Sequence, residues 1–309
     1  MKIYIPPVIH EKDLQFPLEV FAAISYMTSI DYFNQIVENN GIWNDGIFSR
    51  LLLNFPCHEF TDLESCDIIV LPFKFEKNDN RIKTIFDNSK GKRVIAFYCD
   101  DSSEKFNIPK NLIIFRTSLF KTKKGSQERS MPAIVADHMP CNMVLSDKVE
   151  NKTISYCGHL LHNRDLQLSH LSSIYDKVNI KTREGFWAPG VNKIQARREY
   201  YNNLLSGGFA FCSRGAGNFS YRFYEALSFG RIPILIDTDC ELPFERDNNI
   251  QWDNHIIRIP ENEFFNLNKM DFISLIDSKL DKLSPSMNRR LWQNYFSPEG
   301  YFENFYLDI

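Results

Sequence analysis

At 309 residues the chain exceeds what one hydrophobic core ordinarily serves, so its length favours two domains. Hydrophobic residues make up 43% and charged residues 24%, with 26 Phe and 13 Tyr to fill cores and line clefts, which excludes a disordered chain. A formal charge of -3 supplies no global field for a polyanion, so no nucleic acid partner is expected. Lys121, Lys123 and Lys124 in "FKTKKGSQERS" read as a solvated loop.

Seven cysteines, with no CxxC pair and an odd count, point to reduced thiols in a reducing compartment and to no zinc knuckle. "MKIYIPPVIHEKD" lacks an apolar signal core, and no run approaches the ~18 apolar residues of a membrane span. A cytoplasmic protein without a transmembrane segment is expected; peripheral membrane association stays open.

In chain order, "KIYI", "CDIIVLPF", "KRVIAFYC" and "NLIIFRT" are short apolar runs ending in polar or turn residues. Segments with helical spacing separate them, such as "FPLEVFAAISYMTSIDYFNQIVE". Buried parallel strands in a doubly wound α/β domain over residues 1–150 follow. Turn residues in "MPCNMVLSDKVENK" mark the break, after which "TISYCGHL", "SHLSSIYDKVN" and "GGFAFCS" restart the alternation in a second domain, residues 151–297. "SPSMNRRLWQNYF" predicts a short amphipathic helix through Tyr295. The "SPEG" turn then leads into an aromatic tail, residues 298–309, expected to pack on the first domain or the cleft.

The densest chemistry lies in "FCSRGAGNFSYRFYEALSFGRIPILID". A strand runs into a glycine loop, then a helix with Ser220 at its N-cap, a Phe219–Tyr224 staple and Gly230 as its stop, then a parallel strand. The loop of such a βαβ unit lies at the carboxyl edge of the sheet. "RGAGNFS" presents backbone N–H groups at the positive end of a helix, and Arg214 and Arg222 add charge in a geometry that phosphate oxygens accept. On the helix, Phe219, Phe223, Ala226, Leu227 and Gly230 follow the spacing of a buried face, leaving Arg222, Glu225 and Ser228 on another. Arg222 and Glu225 then form either a surface i,i+3 pair or a ligand-facing pair.

Three phosphate sites compete. The absence of GK[ST] excludes a Walker loop. "GAGNFS" with Asp237 approximates a dinucleotide fingerprint, with Ser220 in place of the third glycine. The third is a nucleotide-sugar site. "SRGAGNFSYRFYEALSFGRIPILIDTDCELPFE" resembles the signature of the exostosin-like glycosyltransferases, glycosyltransferase family 47, through Arg214-Gly215, Ser220 with Arg222, Glu225-Ala226, Gly230 with Ile232-Pro233, and Pro243-Phe244. The resemblance extends to "ISYCGH" with Arg164, and to "DIIVLPF" and "FRTSLF" in the first half.

This resemblance implies a GT-B fold, two Rossmann-like domains facing across a cleft. The first would take a glycan or other hydroxyl acceptor and the second a nucleotide-sugar donor, UDP-linked ahead of GDP-linked. It implies that Arg164, Arg214, Gly215, Gly217, Ser220 and Arg222 hold the donor, that Glu225 accepts from its ribose, and that transfer inverts configuration. The base would come from the opposite domain, with His10 and Asp101 as candidates at the carboxyl ends of strands. "DTD" at Asp237 to Asp239 could ligate a divalent metal, but arginines already flank the loop, so a structural turn is expected and no metal or other cofactor is required. His159 and His162 have a spacing that could share a helical side, yet lack acidic or cysteine partners for a metal.

Overall fold

Runs of β-branched and aromatic residues too short for helices become strands buried on both faces. The computed structural model describes residues 1–4, 6, 59–76, 79–135, 137–185, 190, 192–246 and 249–309. The 16–38 helical segment and His10 lie outside the described residues.

In the first half, β1 (Lys2–Tyr4), β2 (Glu59–Phe60), β3 (Ile68–Lys74), β4 (Arg93–Tyr98), β5 (Leu112–Arg116) and β6 (Glu128–Ser130) form a sheet in the order β2-β1-β3-β4-β5-β6. Every pairing is parallel. Ile69, Val94, Ala96 and Ile114 face α1 (Asn80–Asn88), while Val70, Ile95, Phe97 and Phe115 face the second half. Asp79 starts α1 by accepting from the Arg81 N–H at 2.9 Å.

The second half holds β7 (Ile154–His159), β8 (Val178–Arg183), β9 (Phe209–Cys212), β10 (Ile232–Asp237) and β11 (Ile257–Pro260), ordered β11-β10-β9-β7-β8 and again all parallel. Counted within each half, both sheets begin 2-1-3-4-5, the order of a doubly wound nucleotide-binding domain. Two such halves are the GT-B architecture. Helices α2 (Arg164–Ile174), α3 (Lys193–Leu205), α4 (Tyr221–Ser228), α5 (Glu261–Phe264), α6 (Lys269–Lys279), α7 (Pro285–Leu291) and α8 (Pro298–Asn304) complete the described fold. α2 and α6 cover one face of the second sheet, through Leu171 and Ile276. α4 covers the other through Phe223, Ala226 and Leu227.

Three local expectations change. β8 is an edge strand of mostly polar residues that the apolar pattern does not mark. "SPEG" is a helix start rather than a turn: Ser297 is the N-cap, its Oγ accepts from the Gly300 N–H at 2.9 Å, and Pro298 occupies the first helical position. The segment read as a solvated loop instead joins the halves. Phe120 bridges antiparallel to Cys240, Lys121 pairs with Glu245 at 2.8 Å, and Lys124 pairs with Glu241. Lys121 and Lys124 are held because the second half supplies carboxylates that local sequence does not reveal, while Lys123 lies over the Phe120 ring.

The C-terminal segment crosses the seam. α7 passes through a π-helical turn, Trp292–Phe296, into α8. Phe296 stacks on Trp252 at 5.3 Å in the second half, while Phe302 and Phe305 meet Phe97 at 5.9 and 6.0 Å in the first. One apolar cluster therefore runs through both halves.

Gly230 ends α4 at φ +62°, where the Arg231 N–H returns to the Ala226 carbonyl at 2.7 Å. A Cβ there would lie 2.8 Å from the Pro285 carbonyl oxygen. Gly230→Ala combines a left-handed backbone with overpacking and should cost about 2 kcal/mol or more, read as a lower urea midpoint with an unchanged slope.

Candidate functional site

β9 is wholly buried and delivers Ser213 and Arg214 to the carboxyl edge of the second sheet. The chain order reverses there, because β8 lies on one side of β7 and β9 on the other, and a crevice opens at such a point. The loop that follows is closed by the Gly215 N–H donating to the Phe219 carbonyl at 2.8 Å. Ser220 is the N-cap of α4, but its side chain makes no cap hydrogen bond, so it does not cover the first-turn N–H groups. The Phe219 ring packs on Tyr221 at 5.4 Å, while Tyr224 turns into the core against Phe223 and Phe296. The expected staple is replaced because Tyr224 serves the shared core.

The loop is positioned from outside itself. Arg164, the first residue of α2, is buried, and its guanidinium donates to the carbonyls of His159 at 3.0 Å, Ser213 at 3.3 Å and Arg214 at 2.6 Å. It thereby ties the ends of β7 and β9 together. Sequence reading assigned Arg164 to the ligand; its hydrogen bonds go to backbone carbonyls, so it positions the loop.

Asn218 performs the same service across the seam. Its N–H donates to Ser118 Oγ at 2.9 Å, its Nδ2 to the Leu119 carbonyl at 3.3 Å, and its Oδ1 accepts from Thr238 Oγ1. Gly217 lies where a Cβ would stand 2.9 Å from Asp101 Oδ1. Only glycine fits against the first half at that point, and Asp101 is brought to the loop.

Beneath the loop, Arg222 and Glu225 form no surface ion pair. The Arg222 guanidinium donates to the Cys157 carbonyl and lies over the rings of Tyr156 at 4.2 Å and Tyr200 at 5.4 Å. Gly158 admits it, since a Cβ there would come within 2.8 Å of Arg222 Nη2. Tyr200, from α3, donates its hydroxyl to Glu225 Oε2. Burial pushes the Glu225 carboxyl above its ordinary range, while the Tyr200 hydroxyl and Arg222 oppose that shift.

Arg214 projects to the loop's other side, donating to the Ala216 carbonyl at 2.9 Å with its guanidinium 6.0 Å from the Phe120 ring centroid. There a cavity of about 540 Å³ opens, walled by Phe120, His162, Asn163, Arg214, Asp239 and Glu261 among others. The "DTD" carboxylates have partners within the protein. Asp237 accepts from the Cys240 N–H at 2.8 Å and from Arg258 Nε at 2.7 Å, and Asp239 accepts from Thr122. Asp237 also lines this cavity. His159 ends β7 and His162 adopts φ 50° in the following loop, so the two do not share a helix.

Sequence reading missed Tyr200, Asn218 and Gly158. Asn218 and Gly158 stood within motifs already noted, whereas Tyr200 is 25 residues from Glu225 and carries no local signal.

Two parallel-sheet halves with a glycine loop at the switch point of the second define a GT-B fold with a candidate ligand crevice at that loop. The sequence model of the exostosin GT47 domain matches residues 112–270, and the chain belongs to that glycosyltransferase family. Among solved structures it is similar to TarM, at 10% identity and TM-score 0.40 over 78% of this chain and 54% of that one. It thus spans about half the length of TarM. It is also similar to an alpha1,3-fucosyltransferase (9% identity, TM-score 0.36, 95% and 89% of the two chains) and to the calicheamicin glycosyltransferase CalG4 (7%, 0.37, 100% and 99%). No curated protein matches the chain in sequence. Among the described residues no helix is long and apolar enough to cross a membrane.

The raised Glu225 carboxyl has a consequence for stability. Between the unfolded value of about 4.3 and the folded value, the folded state binds more protons. Its contribution therefore falls as pH rises through that interval. Glu225→Gln, neutral throughout, should flatten this slope and raise Tm at pH 7, as checked by calorimetry from pH 4 to 8.

Proposed function

We propose that the chain is an inverting glycosyltransferase that moves a sugar from a nucleoside diphosphate, UDP ahead of GDP, to a hydroxyl of a glycan or similar acceptor. The reading rests on one observation: the loop from Arg214 to Ser220 ends at a helix N-terminus that Ser220 does not cap, with Arg222 in the first turn and Glu225 in the second. Fixed N–H donors and a guanidinium stabilise a departing diphosphate without reorganising as charge develops. Family membership supports the same chemistry.

In this mechanism the acceptor hydroxyl gives its proton to a carboxylate and its oxygen attacks the anomeric carbon. The bond from that carbon to the diphosphate oxygen breaks, and the diphosphate leaves with the electron pair. Asp101 is the base favoured by geometry, as an exposed carboxylate of the first half lying against Gly217. His10 is the other candidate. Arg214 and the loop N–H groups would hold the diphosphate, and Glu225, oriented by Tyr200, would accept from the ribose. The reading invokes no divalent metal, since the loop N–H groups and Arg214 supply the positive charge for the diphosphate. A reducing, cytoplasmic setting fits the free thiols of the described cysteines.

Thermal shift with UDP, GDP, CMP, NAD and NADP, each with Mn²⁺ or EDTA, tests the donor. UDP or GDP should raise Tm in EDTA. A shift with NAD or NADP alone, or one that needs Mn²⁺, would refute the reading. Arg214→Ala should weaken nucleotide binding about tenfold or more at unchanged Tm. Asp101→Asn should keep nucleotide affinity and lower kcat by about 10²-fold or more. Nucleotide binding without donor hydrolysis or transfer would indicate a non-catalytic binding protein.

A further inference from the structure

We propose that the cavity beside Arg214 is a subsite for an uncharged saccharide, lying on the opposite side of the glycine loop from the Arg222–Glu225 cluster. Its walls come from the loops after β7 and β9, the end of β10 with the loop after it, the first residues of α5, and Phe120 of the first half. Its volume of about 540 Å³ suits a sugar ring with its neighbours, small-molecule sites running from about 300 to 1,000 Å³.

The wall offers groups that hydrogen-bond to hydroxyls. Among the described residues, the His162 ring and the Asn163 and Asn262 amides make no side-chain hydrogen bond, and Asp239, held by Thr122 through Oδ2, keeps Oδ1 open. Glu261, which lines the cavity, is set in place by a relay: Ser213 Oγ donates to Gln167, whose buried amide donates to Glu261 Oε1 at 2.8 Å. Carboxylates and amides of this kind take paired hydroxyls, and Phe120 adds an aromatic side chain to the wall.

Charge selects the occupant. Arg258 neutralises Asp237, which leaves Asp239 and Glu261 against the single Arg214. A phosphate or uronate would meet like charge on this wall, whereas a neutral polyol would not. The backbone points to the same place. Of the five non-glycine residues at positive φ among the described residues, His162, Asn163 and Asp239 line this cavity.

The sugar belongs either to the donor or to the acceptor, a distinction that rests on the loop being the diphosphate site. Saturation-transfer NMR with glucose, galactose, xylose, N-acetylglucosamine and glucuronate, with and without UDP, tests the subsite. At least one neutral sugar should bind, glucuronate should not, and Glu261→Ala and Asn262→Ala should each weaken binding about tenfold while UDP affinity holds. Asn262 is exposed, so its variant remains informative if Glu261→Ala fails to fold.

If the sugar is the donor's, its UDP-linked form binds more tightly than UDP, and Glu261→Ala removes the difference. If it is the acceptor's, the two bind alike. The proposal is overturned if no neutral sugar binds, if neither variant weakens binding, or if glucuronate binds as well. Sugar binding without any UDP binding would instead sink the diphosphate assignment and leave the subsite standing.

Discussion

A single guanidinium, that of Arg164, decides the shape of the glycine loop. At the switch point two strands release their chains side by side, and carbonyls turn inward where no neighbouring strand can receive them. Arg164 donates to three of them with one rigid, planar group. Burial lowers its hold on its proton, yet arginine stays charged where lysine would not. A lysine would also present a point charge to acceptors spread across two strands. The loop's exposed N–H groups are ordered because its carbonyls are satisfied from beneath.

The same loop is pinned by the first half through Asn218 and Gly217, so the site is a property of the joined halves. Near it, Lys121, Glu245, Arg258 and Asp237 form a continuous chain of charges from the first half to the end of β10. Because the members are part-buried and share partners, they are less screened than isolated surface pairs. With Phe302 and Phe305 in the first-half core, relative motion of the halves must disturb both polar and apolar contacts. Loop geometry and domain geometry are thereby coupled.

Much of this was legible in the sequence wherever a signal is local. The long apolar runs mark β3, β4, β5, β7, β9 and β10, and Ser220 and Gly230 bracket α4, because burial and capping act within a few residues. β8 was not legible: an edge strand half in water has no apolar run to display. Nor was β6, whose Glu128 is buried only because Arg116, on the neighbouring strand, pairs with it. The site divides likewise. The glycines and arginines of the loop are contiguous, but Tyr200 reaches Glu225 only through the packing of α3, and Arg164 has carbonyl partners that no side-chain motif records.

Arg214 stands between two surroundings of unlike charge. Toward α4 lie the uncapped N–H groups of its first turn; toward β10 and β11 lie Asp239 and Glu261. A nucleotide sugar is itself asymmetric, with a dianionic diphosphate joined to a neutral ring. In a cleft whose polarity changes across one residue, a reversed ligand would set its phosphates against carboxylates and leave the loop donors unfilled. On the proposed assignment, orientation would follow from repulsion on one side as much as from attraction on the other, which is how a site discriminates when attraction alone is unselective.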